Sequence, residues 1–190
     1  MKYADFYECD ICNGNGVGVS LFVQGCPFHC KGCFNPETWD FDGGKEWTSD
    51  VKKKFFKMVE RPYIHRISFL GGSPLCDINV EEVWELIHYI RGNYPNKELW
   101  VYTGYKWEDI YDGNYFVSKS IDINTNSYRN AILDDIDVLI DGPFEENKKD
   151  INLPFRGSSN QRIIDVQKTL KNNGNIVLWN NERINKYERE

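Results

Sequence analysis

Short apolar runs alternate with helical patterns along this chain, and the alternation sets narrow limits on its fold. Residues 19–23, 67–70, 99–103 and 138–140 are predicted strands, because they are short, largely apolar and bounded by turn residues. Strands that alternate with helices are typical of βαβ units with a parallel sheet. The sequence therefore predicts an α/β fold, and such sheets bind ligands at the carboxyl ends of their strands.

Two longer helices and one short helix are predicted between these strands. Thr48 is a candidate N-cap for the first helix, whose apolar residues recur at helical spacing. Asn79 and Glu82 form a capping-box pattern ahead of the second helix, which is predicted to end near Gly92. Residues 106–111 are predicted to form the short helix.

The length of 190 residues suits a single domain, which we place at residues 1–179. Residues 112–135 are polar and exceed a typical connection, so we predict a surface insertion there with one helical turn near Ala131. An Asn-Gly pair lies within residues 162–179 and is a strong signal for a hairpin turn. A C-terminal β-hairpin is therefore predicted at 162–179, followed by a charged tail at 180–190.

Three cysteines follow the first predicted strand directly. Cys26, Cys30 and Cys33 have the spacing C-x3-C-x2-C, and no fourth ligand follows at close range. Four-iron clusters are usually held by cysteine thiolates, one on each iron. Three thiolates leave one iron without a protein ligand, and an open position is typical of a catalytic metal centre. The spacing therefore predicts a [4Fe–4S] cluster that binds a small molecule.

A zinc site and a disulfide framework are the alternatives for this loop. Zinc ribbons pair two C-x2-C knuckles, or one knuckle with two histidines, whereas His29 has no histidine partner nearby. The chain opens Met-Lys-Tyr-Ala-Asp without an apolar signal segment, so we expect a cytoplasmic protein with reduced thiols. Zinc remains the main alternative to the iron–sulfur loop.

Two further patterns are not interpreted as sites. Cys9 and Cys12 form a C-x2-C pair without a second pair, because Cys76 stands alone, so plain reduced thiols are expected. Gly14 and Gly16 lie in a glycine-rich stretch that precedes a predicted strand, whereas a dinucleotide-binding loop must follow one.

The composition excludes several partner classes. The formal net charge is −6, and no basic stripe typical of a nucleic-acid-binding protein is present. No apolar run approaches the roughly 18 residues of a membrane span. We therefore expect neither a nucleic acid nor a membrane as partner.

Six blocks of sequence carry a family resemblance. They are FVQGC at 22–26, CFNPETW at 33–39, GGSPL at 71–75, WVYTGY at 100–105, DVLIDG at 137–142 and RGSSNQR at 156–162. The cysteine loop resembles that of radical S-adenosylmethionine (SAM) enzymes. The blocks together resemble the family of anaerobic ribonucleoside-triphosphate reductase activating proteins, in that family's order.

The resemblance implies an incomplete radical SAM β/α barrel, and the chain is too short for a full barrel of roughly 250 residues. It implies one [4Fe–4S] cluster on Cys26, Cys30 and Cys33, with SAM on the open iron. The SAM contacts that it implies are Gly32, Cys33, Phe34, Gly71, Gly72, Ser73 and Thr103. At two of these positions the superfamily usually differs, with an acidic residue in place of Ser73 and an aromatic residue in place of Gly32.

The role of the RGSSNQR block stays open. A guanidinium suits a carboxylate, so Arg156 or Arg162 is a candidate to hold the methionine carboxylate of SAM or an acidic group of a partner. Surface salt bridges are the alternative.

The function that the resemblance implies is activation of anaerobic ribonucleoside-triphosphate reductase through a glycyl radical on its large subunit. Cluster and SAM carry the radical chemistry, so no catalytic side chain is expected, and an electron donor such as flavodoxin or another reductant is needed. The alternatives are another small radical SAM enzyme, of the pyruvate formate-lyase activase or deazaguanine synthase type, or a non-catalytic iron–sulfur or zinc module.

Overall fold

One sheet of seven strands forms the centre of the structure, a computed structural model that describes residues 1–111 and 123–180. In chain order the strands are β1 (Lys2–Asp10), β2 (Gly18–Val23), β3 (Lys45–Glu46), β4 (Arg66–Gly71), β5 (Glu98–Tyr102), β6 (Val138–Asp141) and β7 (Arg162–Asp165). Their order across the sheet is β3-β1-β2-β4-β5-β6-β7. Strands β2, β4, β5 and β6 run parallel, whereas β1, β3 and β7 each pair antiparallel with the neighbour nearer the centre.

The four parallel strands are the four that the sequence predicts, and the α/β class is confirmed. Within the described residues the sheet is open, because β3 and β7 lie at its two ends. The sequence analysis did not predict β1 or β3. In β1 most residues are exposed or half-buried, so the strand lacks the apolar run that marks the central strands.

The described residues form five α-helices around this sheet. They are α1 (Ser49–Val59), α2 (Val80–Asn93), α3 (Trp107–Tyr111), α4 (Ile123–Asp135) and α5 (Val166–Lys171). The predicted N-cap of α1 is confirmed, since the Thr48 hydroxyl accepts a hydrogen bond from the Val51 amide. No helix in the described part of the chain is long and apolar enough to cross a membrane.

One face of the sheet forms the main core with α1 and α2. Alternate residues of the central strands point to this face, and the fully buried ones include Val19, Leu21, Ile67, Phe69, Leu99 and Val101. They share one apolar cluster with the buried faces of the helices, such as Phe55 of α1 and Leu86 of α2. Burial of each large apolar side chain stabilises the fold by about 1.5–3 kcal/mol, so this face holds the parallel strands in place.

The opposite face carries a buried arginine that holds the glycine-rich stretch. The Arg66 guanidinium donates to the carbonyl oxygen of Asp10 at 2.7 Å and also to that of Asn13. A Cβ at Gly14 would lie 2.6 Å from the Cδ of Arg66, so only glycine fits. The glycine-rich stretch therefore packs over one end of the sheet. Close packing against Arg66 explains the need for glycine at position 14, so no bound nucleotide is required to explain it.

The predicted capping box of α2 is wrong. The Asn79 side chain does not cap the helix but donates to the carbonyl oxygens of Gln24 at 2.9 Å and Ser73 at 3.1 Å. Glu82 accepts instead from Lys52 of α1 at 2.8 Å. Asn79 thus joins the ends of β2 and β4, which is a tertiary role that a local pattern does not reveal.

The predicted insertion at 112–135 is also wrong in its second half. Helix α4 occupies Ile123–Asp135, and its Ile132 and Leu133 are buried in the main core. Arg129 of the same helix is only 1% exposed. Because the segment is largely polar, the sequence analysis did not predict that its second half forms a helix of the core. Residues 112–122 lie outside the described residues.

The C-terminal hairpin predicted at 162–179 is replaced by a strand and a helix. The Asp165 side chain accepts from the Lys168 amide at 3.0 Å and begins α5 directly after β7. Asn173 and Gly174 have φ of 54° and 81°, so the Asn-Gly pair ends a helix and does not form a hairpin turn. The chain then returns antiparallel to β7, where Leu178 pairs with Ile164. Nearly all of the predicted tail, residues 181–190, lies outside the described residues.

Candidate metal centre

The ends of three parallel strands bring the predicted motifs together at one edge. The Gly72 amide donates to the carbonyl oxygen of Val23 at 2.8 Å, and the Ser73 amide donates to that of Gly25 at 2.8 Å. A Cβ at Gly104, after β5, would lie 2.5 Å from the Phe28 ring. The cysteine loop is therefore in direct contact with two turns, the Gly-Gly turn at Gly71-Gly72 and the Thr-Gly turn at Thr103-Gly104.

The cysteine loop is fixed at both of its ends by backbone hydrogen bonds. The Gly25 amide donates to the carbonyl oxygen of Thr38 at 2.8 Å, and the Cys26 amide donates to that of Trp39 at 3.1 Å. Inside the loop, the Cys33 amide donates to the Cys30 carbonyl at 3.0 Å. Cys26, Cys30 and Cys33 are all half-buried free thiols.

Burial and nearby amides act in opposite directions on two of these thiols. Burial raises the pKa of Cys26, while the backbone amides of Phe28 and His29 lower it by donating to the sulfur. Burial likewise raises the pKa of Cys30, and the Phe144 amide acts against it. Amides directed at sulfur favour the thiolate, which is the form that binds metal.

The three thiols of the loop are the side chains that would hold a metal group here. Among the described residues, no group of three His, Cys, Asp or Glu side chains converges on one metal position. A structural zinc ion needs its ligands at about 2.0–2.3 Å from one point. A four-iron cluster takes one thiolate on each iron, so its cysteines stay further apart. Three cysteine thiolates in one loop are a donor set that would suit a [4Fe–4S] cluster, with one thiolate on each of three irons, and zinc stays the alternative.

Aromatic rings pack around the loop. The Phe28 ring meets Tyr105 edge to face at 4.6 Å between centroids, and His29 stacks on Trp39 at 5.0 Å. Phe34 remains 57% exposed at the outer side of the loop. The rings of Phe28 and Trp39 thus cover the inner side of the loop, whereas Phe34 on the outer side stays partly in contact with solvent.

The Gly-Gly turn is shaped by backbone contacts with the cysteine loop. Gly71 has a φ of 96°, which favours glycine. A Cβ at Gly72 would lie 2.9 Å from the carbonyl carbon of Gly25 and closer still to its oxygen. Ser73 is 1% exposed, and its buried Oγ has no hydrogen-bond partner in the described structure. An unpartnered buried hydroxyl is costly unless a ligand or water completes it.

Thr103 lies in the third turn and is buried. Its amide donates to the Ile140 carbonyl at 2.9 Å, and its hydroxyl accepts from the Tyr105 amide at 3.2 Å. The residue thus caps the turn after β5, and its O–H can still donate to a ligand.

Both arginines of the RGSSNQR block are engaged within the chain. The Arg162 guanidinium forms two 2.8 Å hydrogen bonds to the Glu108 carboxylate and also pairs with Asp141. Arg162 lowers the pKa of Glu108 to about 2 through these hydrogen bonds. Arg156 donates to the Gln161 carbonyl at 2.7 Å. These bonds favour the salt-bridge interpretation, because Arg162 joins β7 to α3.

Two residues beside the loop were missed by the sequence analysis. The Phe144 ring lies 5.3 Å from that of Phe34, and the Phe144 backbone amide acts to lower the pKa of Cys30. Glu146 pairs with Lys31 at 2.9 Å and covers Gly32, where a Cβ would lie 3.1 Å from its Oε1. Their position just after β6, at the carboxyl edge of the sheet, is the signal that could have found them.

Of the remaining cysteines, two lie at the other edge of the sheet and one lies directly behind this loop. Cys9 and Cys12 are exposed near Asp10, which pairs with Gly18 at the amino end of β2, whereas the loop follows its carboxyl end. Cys76 is buried behind the loop, and burial raises its pKa to about 12. That they are plain reduced thiols stays a prediction.

The model of the 4Fe-4S single cluster domain matches residues 12–164, which include the cysteine loop, and this match gives the class as an iron–sulfur protein. The anaerobic ribonucleoside-triphosphate reductase-activating protein of Salmonella typhimurium is 37% identical over 165 residues, covering 86% of this chain and 97% of that relative. The protein of the same name from Enterobacteria phage T4 is 36% identical over 163 residues, covering 86% of this chain and 93% of the relative. The protein of the same name from Escherichia coli is 36% identical over 165 residues, covering 86% of this chain and 97% of the relative. The chain belongs to the family of anaerobic ribonucleoside-triphosphate reductase-activating proteins.

Proposed function

We propose that this protein activates an anaerobic ribonucleoside-triphosphate reductase by cleaving SAM reductively at a [4Fe–4S] cluster, leaving a glycyl radical on the reductase large subunit. The observation that carries the proposal is the direct contact between the cysteine loop and the Gly-Gly turn at one sheet edge, where the Ser73 amide donates to the Gly25 carbonyl at 2.8 Å. The names of the relatives supply the reductase as the target.

Cys26, Cys30 and Cys33 would hold the cluster, and the fourth iron would be open to SAM. When bound, the cluster supplies the electron that breaks a carbon–sulfur bond of SAM, giving methionine and a 5′-deoxyadenosyl radical that removes hydrogen from the target glycine. The amides directed at Cys26 and Cys30 would offset the negative charge of the thiolates. The surrounding rings would keep water away from the radical.

The SAM contacts proposed for this chain lie on both sides of the loop. Backbone at Gly71 and Gly72 would face the amino group of SAM, and the buried Ser73 hydroxyl would gain the partner that it lacks in the described structure. Gly32, Cys33 and Phe34 would contact the adenine through backbone and ring. Thr103 would donate its O–H to SAM while its oxygen accepts from the Tyr105 amide.

We interpret the open sheet as an incomplete radical SAM barrel, and this shape supports a protein as the substrate. Within the described residues the sheet does not close into a barrel, and a docked protein would supply the cover that a full barrel gives its site. The reductase large subunit would thus be substrate and lid together. Flavodoxin or another reductant would supply the electron, in the cytoplasm, and neither nucleic acid nor membrane is proposed as a partner.

Assays of SAM cleavage and of reductase activation distinguish the alternative functions. A pyruvate formate-lyase-type activase or a deazaguanine synthase would cleave SAM but not activate the reductase, and the names of the relatives favour the reductase. A non-catalytic iron–sulfur or zinc module would not cleave SAM.

The decisive experiment is anaerobic reconstitution followed by reduction and an assay for 5′-deoxyadenosine. We expect about four irons per chain, and we expect 5′-deoxyadenosine to form from SAM, more strongly when the reductase large subunit is present. Cys30→Ala should abolish the product, and Cys9→Ala should retain it. Bound zinc without acid-labile sulfide, or a loaded cluster that never cleaves SAM, would refute the proposal.

A further inference from the structure

Asn79 joins the cysteine loop to the Gly-Gly turn through a fully buried side-chain amide. Its Nδ2 donates to the Gln24 carbonyl at 2.9 Å, just ahead of Cys26, and to the Ser73 carbonyl at 3.1 Å. The Ser73 carbonyl also accepts from the Cys76 amide at 3.2 Å, so the Asn79 bond to Gln24 carries the link between the ends of β2 and β4. A single side chain therefore connects the two turns that would hold the cluster and SAM.

Two backbone hydrogen bonds lie beside this link. The Gly72 amide donates to the Val23 carbonyl and the Ser73 amide donates to the Gly25 carbonyl, both at 2.8 Å. Both bonds belong to the stretch of backbone that is proposed to face SAM. The position of this stretch relative to the cysteine loop therefore depends on these two bonds and on Asn79.

Gln24 connects the same link to the other end of the cysteine loop. Its side chain is buried, and its Nε2 donates to the carbonyls of Glu37 at 3.0 Å and Asp40 at 2.8 Å. Both of these residues follow the three cysteines, whereas Gln24 precedes them. Because Asn79 bonds the backbone of Gln24, it holds the residue that joins both ends of the loop.

One atom of the Asn79 amide is left unpaired at a cost to stability. Its Oδ1 is buried and has no hydrogen-bond partner in the described structure. Leucine branches at the same carbon and would bury no unpaired acceptor there. The donated hydrogen bonds are therefore what favours asparagine at this position, and these bonds fix the two turns relative to each other.

We propose that Asn79 is a positioning residue that holds the cysteine loop and the Gly-Gly turn at the spacing that SAM requires. The inference rests on the proposed function, in which SAM would contact the loop at the open iron and the Gly-Gly turn through its amino group. A ligand that contacts two turns must order both when it binds, and turns that are already fixed lower this cost. Asn79 therefore acts on the affinity for SAM through the two turns.

The test compares Asn79→Leu with Gln167→Leu after both are reconstituted with iron and sulfide. Gln167 also donates its side-chain amide to backbone carbonyls, such as those of Ile136 at 2.8 Å and Asp134 at 3.2 Å, but these precede β6 at the amino edge of the sheet. Equilibrium dialysis measures SAM binding, together with the change that SAM makes in the electron paramagnetic resonance spectrum of the reduced cluster. We expect about tenfold weaker binding of SAM to Asn79→Leu at unchanged iron content, and wild-type affinity in Gln167→Leu.

A second measurement needs neither iron nor SAM. Amide hydrogen exchange of the apoprotein, followed by nuclear magnetic resonance, reports on the amides of Gly72 and Ser73, which bond across to the loop. We expect both to exchange faster in Asn79→Leu and at the wild-type rate in Gln167→Leu.

This measurement also decides the case in which Asn79→Leu takes up no cluster. Faster exchange confined to the amides of Gly72 and Ser73 then supports the positioning role. Unchanged exchange, or equally faster exchange throughout the core strands, overturns it.

The outcomes separate this inference from the proposed function. A wild type that takes up no cluster, or that neither binds nor cleaves SAM when loaded, would contradict the proposed function itself. A wild type that binds and cleaves SAM, with unchanged SAM affinity in loaded Asn79→Leu, would overturn the inference alone. Equal weakening in Asn79→Leu and Gln167→Leu would also overturn it, because both changes would then reflect a general loss of stability.

Discussion

Gly72 lies where the turn after β4 packs against the cysteine loop. A Cβ at this position would meet the Gly25 carbonyl group, which is backbone and cannot swing aside. The family resemblance implies that Gly72 contacts SAM, and the structure shows that it also packs against the backbone of the cysteine loop. A substitution should therefore disturb the cluster as well as the binding of SAM.

We predict that Gly72→Ala destabilises the protein by about 1–3 kcal/mol, the usual range for overpacking. Iron content after anaerobic reconstitution should fall together with SAM affinity. Gly92→Ala is the matched control, since no atom lies within 4 Å of a Cβ there and the residue is part of α2. It should stabilise the fold by about 0.5–1 kcal/mol. Full iron content with weakened SAM binding in Gly72→Ala would show that the contact with Gly25 is not critical.

The residues of the site differ in how far the sequence can reveal them. Cys26, Cys30 and Cys33 are recognisable because their spacing is local and they follow a strand that is apolar on both faces. Phe144 and Glu146 are not, because they lie more than a hundred residues away and reach the loop only through the order of strands. The sequence also cannot show that Arg162 is held by Glu108.

At the scale of secondary-structure elements, Arg162 connects β7 with β6 and α3. Its guanidinium bonds Glu108 of α3 and Asp141 of β6 from its place in β7. Because the pKa of Glu108 falls from 4.5 to about 2 in the folded protein, its pairing stabilises the fold above pH 4.5. This contribution is lost as the pH falls through about 2.

We predict that Glu108→Gln lowers the free energy of unfolding at pH 6 and leaves it nearly unchanged near pH 2. The effect should be moderate, because half of the Glu108 side chain is exposed and solvent screens the pair. Urea unfolding across this pH range measures it, with Asp50→Asn on the exposed start of α1 as control. A constant difference between wild type and Glu108→Gln at every pH would contradict the assignment.

Helix α4 is tied to the site through a buried arginine. The Arg129 Nε donates to the Leu75 carbonyl at 2.8 Å, its guanidinium pairs with Asp77, and it lies 5.4 Å from the Tyr105 ring. Tyr105 in turn packs on Phe28 of the cysteine loop. The helix therefore supports the turn after β4 from behind.

We predict that Arg129→Met destabilises the fold by about 1–3 kcal/mol, because the Leu75 carbonyl loses its donor in a buried place. Urea unfolding of the apoprotein would measure this loss. Arg91→Met is the control, since Arg91 makes a similar number of bonds at the partly exposed end of α2. A smaller loss in Arg129→Met than in Arg91→Met would count against a core role for α4.

The elements that the sequence predicts correctly are those with one dominant local signal. The parallel strands are buried on both faces, and α1 has a cap and a clear apolar stripe. The errors arise where one pattern fits two structures. An Asn-Gly pair suits both a hairpin and the end of a helix, and here it follows α5, which Asp165 begins directly after β7. Asn79 matches a capping box but serves the packing between strands.

At the scale of the whole molecule, the sheet separates two groups of cysteines. We predict that Cys26→Ala, Cys30→Ala and Cys33→Ala each abolish cluster assembly or SAM cleavage. Cys9→Ala and Cys12→Ala, at the amino end of β2, should keep both. Iron, sulfide and 5′-deoxyadenosine measured on the same samples would check this. Loss of the cluster in Cys9→Ala or Cys12→Ala would mean that a fourth ligand comes from the far edge and that no iron is open.

An open sheet with its metal centre at the edge is best suited to a substrate that brings its own cover. The most direct test of this account is electron paramagnetic resonance of the reductase large subunit after anaerobic incubation with the reduced, cluster-loaded protein and SAM. We predict the doublet of a glycyl radical, which is absent without SAM and absent when the partner's target glycine is replaced by alanine. A loaded and reduced protein that cleaves SAM but never produces the doublet on its cognate reductase would contradict the account.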